Sequence, residues 1–206
     1  MFTGIIQGVA TIEHSERRGD VLTITANLPD NLAADLIEGA SVALDGVCLT
    51  ATAVHDHSVT FDLIEETLSC TTLNGCTSGR RLNIERAMKF GDEIGGHLVA
   101  GHVSGTATIE RIDEGEHGRT LSLACSQAHI RGILPKGFVA VDGISLTVGV
   151  VEGLEGRFEV HLIPETLRIT TIAEKQVGDK VNIELDPMTV AAIEGAKRAV
   201  EAGGAE

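Results

Sequence analysis

Few side chains in this sequence have the chemistry to move a proton or attack a carbon. His102 is the natural proton-transfer candidate, because an imidazole titrates near neutral pH. Cys48 is a potential nucleophile. No base or cation lies next to it in sequence, so taken alone it reads as an inert buried thiol. Asp186 precedes Pro187 and reads first as a helix N-cap. It can also serve a site only if that helix start faces one. His97 and His102, read as strand residues, fall on opposite faces, which argues against a metal pair. His55 and His57 share a face but lack a third ligand. No phosphate-cradling glycine loop, dinucleotide fingerprint or carboxylate dyad stands out, and no metal site is expected.

These residues draw attention because the chain is written twice. TGIIQGVATIE (3–13) recurs as AGHVSGTATIE (100–110), and SVALDGVCLT (41–50) recurs as FVAVDGISLT (138–147). FDLIEETLSCTT from Phe61 recurs as VHLIPETLRITT from Val160, and GRRLNIE from Gly79 recurs as GDKVNIE from Gly178. Shared residues serve the shared fold, so the differences carry information. His102 replaces Ile5, Ser145 replaces Cys48, His161 replaces Asp62, Pro164 replaces Glu65 and Asp186 replaces Ala87. Lys136 has no like residue in the first copy, where the reading sets it against Glu38. Thr50 and Thr147 are common to both copies and read, singly, as strand formers. A duplicated domain offers two similar pockets, and so suits two similar ligands or one ligand on a pseudo-twofold axis.

The elements that must position these residues are mainly β. VLTITANL (21–28) and RTLSLAC (119–125) alternate apolar and polar residues at period two. Asp45-Gly46 and Asp142-Gly143, each between apolar runs, predict tight hairpins. With SVTFDLI, RFEVHLI, RRLNIE and DKVNIE the count reaches about six short strands per copy, a pattern that suits a small closed barrel or sandwich. Short helices are expected at NLAADLIEG and SQAHIRGIL, with Asp30 and Ser126 as N-caps. After Pro187 a helical stripe of Val190, Ile193, Ala196 and Val200 has no counterpart in the first copy. It suits either docking on its own domain or assembly with other chains.

Bulk properties narrow the classes. A chain of 206 residues with net charge −14 lacks the basic face that nucleic acid demands. With no Trp, no Tyr and five Phe, aromatic stacking platforms are scarce, so a flat ligand would be held by backbone and aliphatic groups. No secretory signal and no membrane span are expected, and four cysteines without CxxC pairing read as reduced thiols in a cytoplasmic protein.

Taken together, MFTGIIQG, DGVCLT, GDEIGGHLVAGH (91–102), KGFVAVDGISLTVG (136–149), HLIPETL (161–167) and VNIELDP (181–187) resemble the riboflavin synthase family over the whole chain. The resemblance implies two six-stranded antiparallel Greek-key barrels, over residues 1–97 and 98–186, and a trimerisation helix over 187–206. It implies a homotrimer whose active site lies between the first barrel of one subunit and the second barrel of a neighbour. It implies dismutation of two 6,7-dimethyl-8-ribityllumazine molecules, without metal or added cofactor, and leaves association with lumazine synthase open. By the same resemblance one pocket is lined by Gly4, Ile5, Ile6, Cys48, Leu49, Thr50, Asp62, Leu63, Ile64, Glu65, Glu66 and Thr67, with Phe2 closing one end. The other is lined by Gly101, His102, Val103, Lys136, Ser145, Leu146, Thr147, His161, Leu162, Ile163, Pro164, Glu165 and Thr166. Chemistry falls to His102, Cys48, Ser145, Thr147 and Asp186, with His102 first. A non-catalytic lumazine-binding protein is the competing reading. Retention of His102, Cys48, Ser145 and Thr147 favours the enzyme.

Overall fold

Residues 1–203 are described by a computed structural model, and among them each copy of the repeat closes into its own barrel. The first barrel contains β1 (Gly8–Arg18), β2 (Val21–Asn27), β3 (Ser41–Leu44), β4 (Val47–His55), β5 (Ser58–Leu63) and β6 (Arg81–Arg86). The second contains β7 (Gly105–Gly115), β8 (Gly118–Ala124), β9 (Phe138–Val141), β10 (Ile144–Glu152), β11 (Arg157–Leu162) and β12 (Lys180–Leu185). The antiparallel order β1-β2-β5-β4-β3-β6 is repeated as β7-β8-β11-β10-β9-β12. Strands β3, β4 and β5 follow one another, and β2 returns to lie beside β5, which is the Greek-key arrangement.

Period-two alternation decides what fills each barrel. Leu22, Ile24 and Ala26 of β2 and Val59, Phe61 and Leu63 of β5 point into the first core. Leu121, Leu123, Phe158, Val160 and Leu162 fill the second. Both Asp-Gly hairpins form as expected. Asp45 and Gly46 have φ of 44° and 78°, Asp142 and Gly143 have 45° and 81°, the paired positive values of a type I′ turn.

The two hairpin tips meet back to back. A Cβ on Gly46 would lie 2.6 Å from the Gly143 nitrogen, so only glycine allows the contact. Buried asparagines tie each strand end to the other barrel's tip. Asn83 Nδ2 donates to the Asp142 carbonyl (2.9 Å) and Asn83 Oδ1 accepts from Thr171 N (2.8 Å). Asn182 repeats both bonds, to the Asp45 carbonyl (2.9 Å) and from Thr72 N (2.8 Å). Asp45 faces Arg80 at 3.4 Å and Asp142 faces Lys175 at 3.2 Å. Burial, with Asp142 repelling it, pushes the Asp45 carboxyl up to about 7, and burial moves Asp142 in the same direction.

Some local expectations need correction. The first helix, α1 (Asp30–Ala33), is one turn only, and its N-cap is Pro29 rather than Asp30. Ser126 does cap the next, α3 (Gln127–Ile130), its Oγ accepting from His129 N at 3.2 Å. Two helices were not foreseen: α2 (Glu65–Cys70) and α4 (Pro164–Ile169), formed where EETL and PETL follow β5 and β11. The terminal helix α5 (Pro187–Gly203) starts as expected. Asp186 accepts from Thr189 N (3.0 Å), Thr189 Oγ1 (2.7 Å) and Met188 N (3.3 Å), with Pro187 at the first helical position. No other element packs along α5 among the described residues. Residues 204–206, the end of the expected trimerisation segment, lie outside the described residues.

Candidate active site

Residues 1–4 and 97–101 form a short antiparallel ribbon between the barrels. Phe2 N donates to Val99 O (2.7 Å), Val99 N to Phe2 O (3.0 Å) and His97 N to Thr3 O (3.1 Å). Each arm then leans on the barrel of the other copy. The Gly101 carbonyl accepts from Cys48 N (2.9 Å) in the first barrel, and Val103 packs on the first core. The Gly4 carbonyl accepts from Ser145 N (2.8 Å) in the second barrel, and Ile6 joins the second core. This overturns the expected grouping, which kept Gly4, Ile5 and Ile6 with Cys48, and Gly101, His102 and Val103 with Ser145. His102 is also not a strand residue, since it lies in irregular backbone after the ribbon. Exchanging equivalent segments preserves every local contact, so the repeat alone does not say which copy supplies which arm.

The first cleft, about 410 Å³, is lined by Val47, Cys48, Glu66, Thr67, Cys70, Thr71, Gly101, His102 and Val103. An imidazole and a thiol that sequence spacing placed apart therefore share one cavity. Gly101 makes this possible. Its φ is +80°, and a Cβ there would lie 2.5 Å from Cys48 Cβ. Phe2 is fully buried beneath Gly101, where its Cε2 would lie 3.0 Å from such a Cβ. It supports the wall from behind rather than closing a pocket end.

The equivalent cleft on the second barrel is smaller, about 240 Å³, and is lined by Lys136, Ser145, Leu146, Thr147, Val148, His161, Ile163 and Thr166. Here the chemistry is already assembled. Ser145 Oγ lies 2.7 Å from Nδ1 of His97, a buried imidazole stacked on Phe138 with centroids 5.1 Å apart. Burial holds the His97 imidazole below its ordinary value, against the opposing pull of the Asp186 carboxylate. Burial raises Asp186 in turn, but the Thr189 and Met188 donors and His97 outweigh it and leave its carboxyl lowered. A neutral imidazole bonded to a hydroxyl is the arrangement that can take a proton from it. Sequence reading missed His97 because the repeat offset carries it to a position before Met1, leaving the comparison of copies nothing to contrast.

Lys136 also needs re-registration. Its N–H donates to Val148 O (2.9 Å) with φ +64°, and Gly39 N donates to Ala51 O (2.8 Å) with φ +85°. Gly39, not Glu38, is therefore its counterpart, and a lysine holds a backbone conformation that the first copy gives to glycine. The remaining expected residues divide by burial. Leu49, Leu63 and Leu162 point into the barrel cores, as alternation requires. Asp62 accepts from Thr23 Oγ1 (2.6 Å), and in the second copy His161 Nδ1 is 3.0 Å from Thr120 Oγ1. Glu65 pairs with Arg17 (3.2 Å), and Glu165 pairs with Arg168 on its own helix, outside the clefts. Ile5, Thr50, Ile64 and Pro164 are exposed.

Two closed barrels with clefts at equivalent places, around Cys48 in one and Ser145 in the other, fit a duplicated small-molecule-binding fold. The family described as the lumazine binding domain matches residues 3–87 and again 100–186. The riboflavin synthase of Escherichia coli (strain K12) is 45% identical over 203 residues, covering 98% of this chain and 94% of that protein. Those of Chlamydia pneumoniae (42% identical, 99% of each chain) and Bacillus subtilis (39%, covering 90% and 85%) are similarly full-length. Crystal structures of LumP complexed with riboflavin and with 6,7-dimethyl-8-(1′-D-ribityl) lumazine share the fold, with TM-scores of 0.82 and 0.81 at 23% and 21% identity. Each covers 90% of this chain and 99% of its own. The chain belongs to the riboflavin synthase family, enzymes of riboflavin biosynthesis built from paired lumazine-binding domains.

Proposed function

We propose that this chain joins two molecules of 6,7-dimethyl-8-ribityllumazine, moving a four-carbon unit from one to the other. The products are riboflavin and 5-amino-6-ribitylamino-2,4-pyrimidinedione. The observation that carries this reading is two clefts of one design with different proton-handling groups. Donor and acceptor are the same compound, so one backbone scaffold suits both, while their opposite roles call for different side chains. Holding two rings in register supplies proximity, an effect that can lower a barrier by several kcal/mol.

In this reading the barrels of residues 1–97 and 98–186 each bind one lumazine, each cleft being finished by the other copy's arm. His102 moves the proton of the acidic C7 methyl group, and Cys48 faces the same ligand. Ser145, served by His97, and Thr147 orient the group that adds to the other ring. Thr67, Glu66, Thr166 and Lys136 suit ribityl hydroxyls and the polar ring edge. Asp186 acts on His97 through its charge while capping α5. The active site joins the first barrel of one subunit to the second barrel of another within a cytoplasmic homotrimer. The apolar stripe of Ile193, Ala196 and Val200, along which no other element packs among the described residues, supports α5 as the trimer contact. Association with lumazine synthase is a further partner in this reading.

The test is to mix purified protein with the lumazine and follow riboflavin absorbance. Conversion without added cofactor is expected, and a spectral shift on binding without conversion would leave only a lumazine-binding protein. Truncation after Asp186 is expected to leave folded barrels that no longer sediment as trimers. A trimeric truncated chain would remove α5 from assembly.

A further inference from the structure

The repeated NIE triplet, Asn83-Ile84-Glu85 and Asn182-Ile183-Glu184, is only half explained by the barrel seam. Its asparagines tie the barrels together, and its isoleucines fill the cores. Its glutamates are 2% and 4% exposed, and among the described residues neither forms an ion pair with a Lys, Arg or His. A barrel strand has no need of such a group, and burying a carboxylate is costly unless its oxygens are well bonded.

Glu184 Oε1 accepts from Ala100 N (2.7 Å) and its Oε2 from Gly101 N (2.9 Å). Glu85 does the same for the other arm, from Thr3 N (2.6 Å), Thr3 Oγ1 (2.7 Å) and Gly4 N (3.0 Å). Successive N–H groups beside a left-handed glycine form a concave anion cradle, and here the anion belongs to the chain itself. Both oxygens accept, which favours the ionised carboxylate, whereas burial works against it and raises both carboxyls above their ordinary value. The consequence runs in the reverse direction as well. The carboxylate fixes the Ala100-Gly101 turn, whose carbonyl then meets Cys48 N at 2.9 Å, and the next residue is His102. Glu184 belongs to β12 of the second barrel, yet the side chain it aims stands in the cleft of the first.

We propose that Glu184 is a positioning residue for the first cleft, setting the place of His102 through the two N–H groups before it. This inference rests on the assignment of His102 to proton transfer. An amide at position 184 must turn its NH2 toward one of the two N–H donors. One bond is then lost and the turn loosens, while the side-chain volume is kept. Glu85 is the internal control: equally buried, and holding two successive N–H groups with the Thr3 hydroxyl as a third donor, it leads to Ile5, which has no proton to give.

The test is a double-mutant cycle of Glu184→Gln with His102→Gln, read as kcat and KM, beside the same cycle with Glu85→Gln. Expected is a loss of kcat of at least about fivefold in Glu184→Gln with KM within about twofold, and little further loss when His102 is already Gln. The effect of Glu85→Gln adds in full to His102→Gln, because it works through the other arm. A loss from Glu184→Gln that is as large in the His102→Gln background overturns the inference, since the carboxylate then acts on the fold in general. Wild-type kcat in Glu184→Gln beside an impaired His102→Gln overturns it too, while leaving His102 its role. A fully active His102→Gln instead removes the assignment on which the inference stands. Should Glu184→Gln fail to fold, Glu184→Asp keeps the charge, withdraws it by one methylene and enters the same cycle.

Discussion

The two barrels share strand order, hairpin tips, asparagine ties and glutamate clamps, yet their clefts differ in size and in chemistry. The first is about 410 Å³ and presents Cys48 and His102. The second is about 240 Å³, and in it a serine is already bonded to a buried imidazole. Where the first copy relaxes into Gly39, the second holds Lys136 in the same left-handed conformation. Duplication thus fixed the scaffold, and divergence at a few positions made the halves unequal. Each half is also incomplete, because the arm that finishes its cleft is placed by the other.

Separating the halves tests that dependence most severely. A fragment of residues 1–97 retains β1 to β6 but lacks Gly101, His102 and Val103. We expect it to fold, bind lumazine or riboflavin, and pair weakly with a second copy whose Thr3–Ile6 arm replaces the missing one. It is expected to make no riboflavin efficiently, and near-normal synthesis would sink the two-cleft scheme.

Within the full chain, Gly101→Ala and Gly4→Ala compare the two arms directly. Their Cβ atoms would lie 2.5 Å from Cys48 Cβ and 2.6 Å from Ser145 Cβ. The left-handed conformation alone costs about 1–2 kcal/mol for alanine. Displacement of about 1 Å at a reacting group can cost about a hundredfold, and that is the expected fall in kcat/KM for Gly101→Ala. Steady-state kinetics with a thermal melt separates this from unfolding. A fully active Gly101→Ala would mean that the arm does not finish the first cleft.

A finer contrast sets His102 against Cys48. General acid–base groups contribute about 100- to 10,000-fold. We expect His102→Gln to lower kcat by at least about tenfold, the smaller figure reflecting the substrate's own reactivity. Cys48→Ser is expected to stay measurably active, because the second barrel already carries Ser145 on the same turn. Single-turnover rates across about pH 5 to 9 decide it. An inactive Cys48→Ser beside an active His102→Gln would make a thiol adduct the leading mechanism.

The smallest effect lies in the seam. Asp45 is pushed up to about 7 by burial and by Asp142, so the folded state keeps a proton that the unfolded chain releases near pH 4. Its contribution is therefore fully present below about pH 4 and is lost as pH rises through about 7. We expect Asp45→Asn to flatten the fall in thermal midpoint between about pH 5 and 8. That difference is worth on the order of 1–3 kcal/mol. Comparing variant with wild type cancels His97, whose lowered value acts in the opposite sense. An unchanged slope would show that Arg80 and Lys175 keep both carboxyls ionised throughout.

Most of the strand and turn geometry was legible in the sequence, although the short helices α2 and α4 were not. The strands came from period-two alternation, the type I′ tips from Asp45-Gly46 and Asp142-Gly143, and the start of α5 from Asp186-Pro187. The duplication made two clefts, and contrast between copies singled out His102, Ser145 and Lys136. Only the tertiary structure decided which arm serves which barrel. Ile5 and His102 occupy equivalent repeat positions, and local preferences are the same whether an arm folds back or crosses over. His97 stayed hidden because its role depends on Ser145, Phe138 and Asp186, which meet it only through space. The triplet NIE read as the end of a strand, and the direction of its glutamate became visible only when two N–H groups from a distant turn came to rest on it.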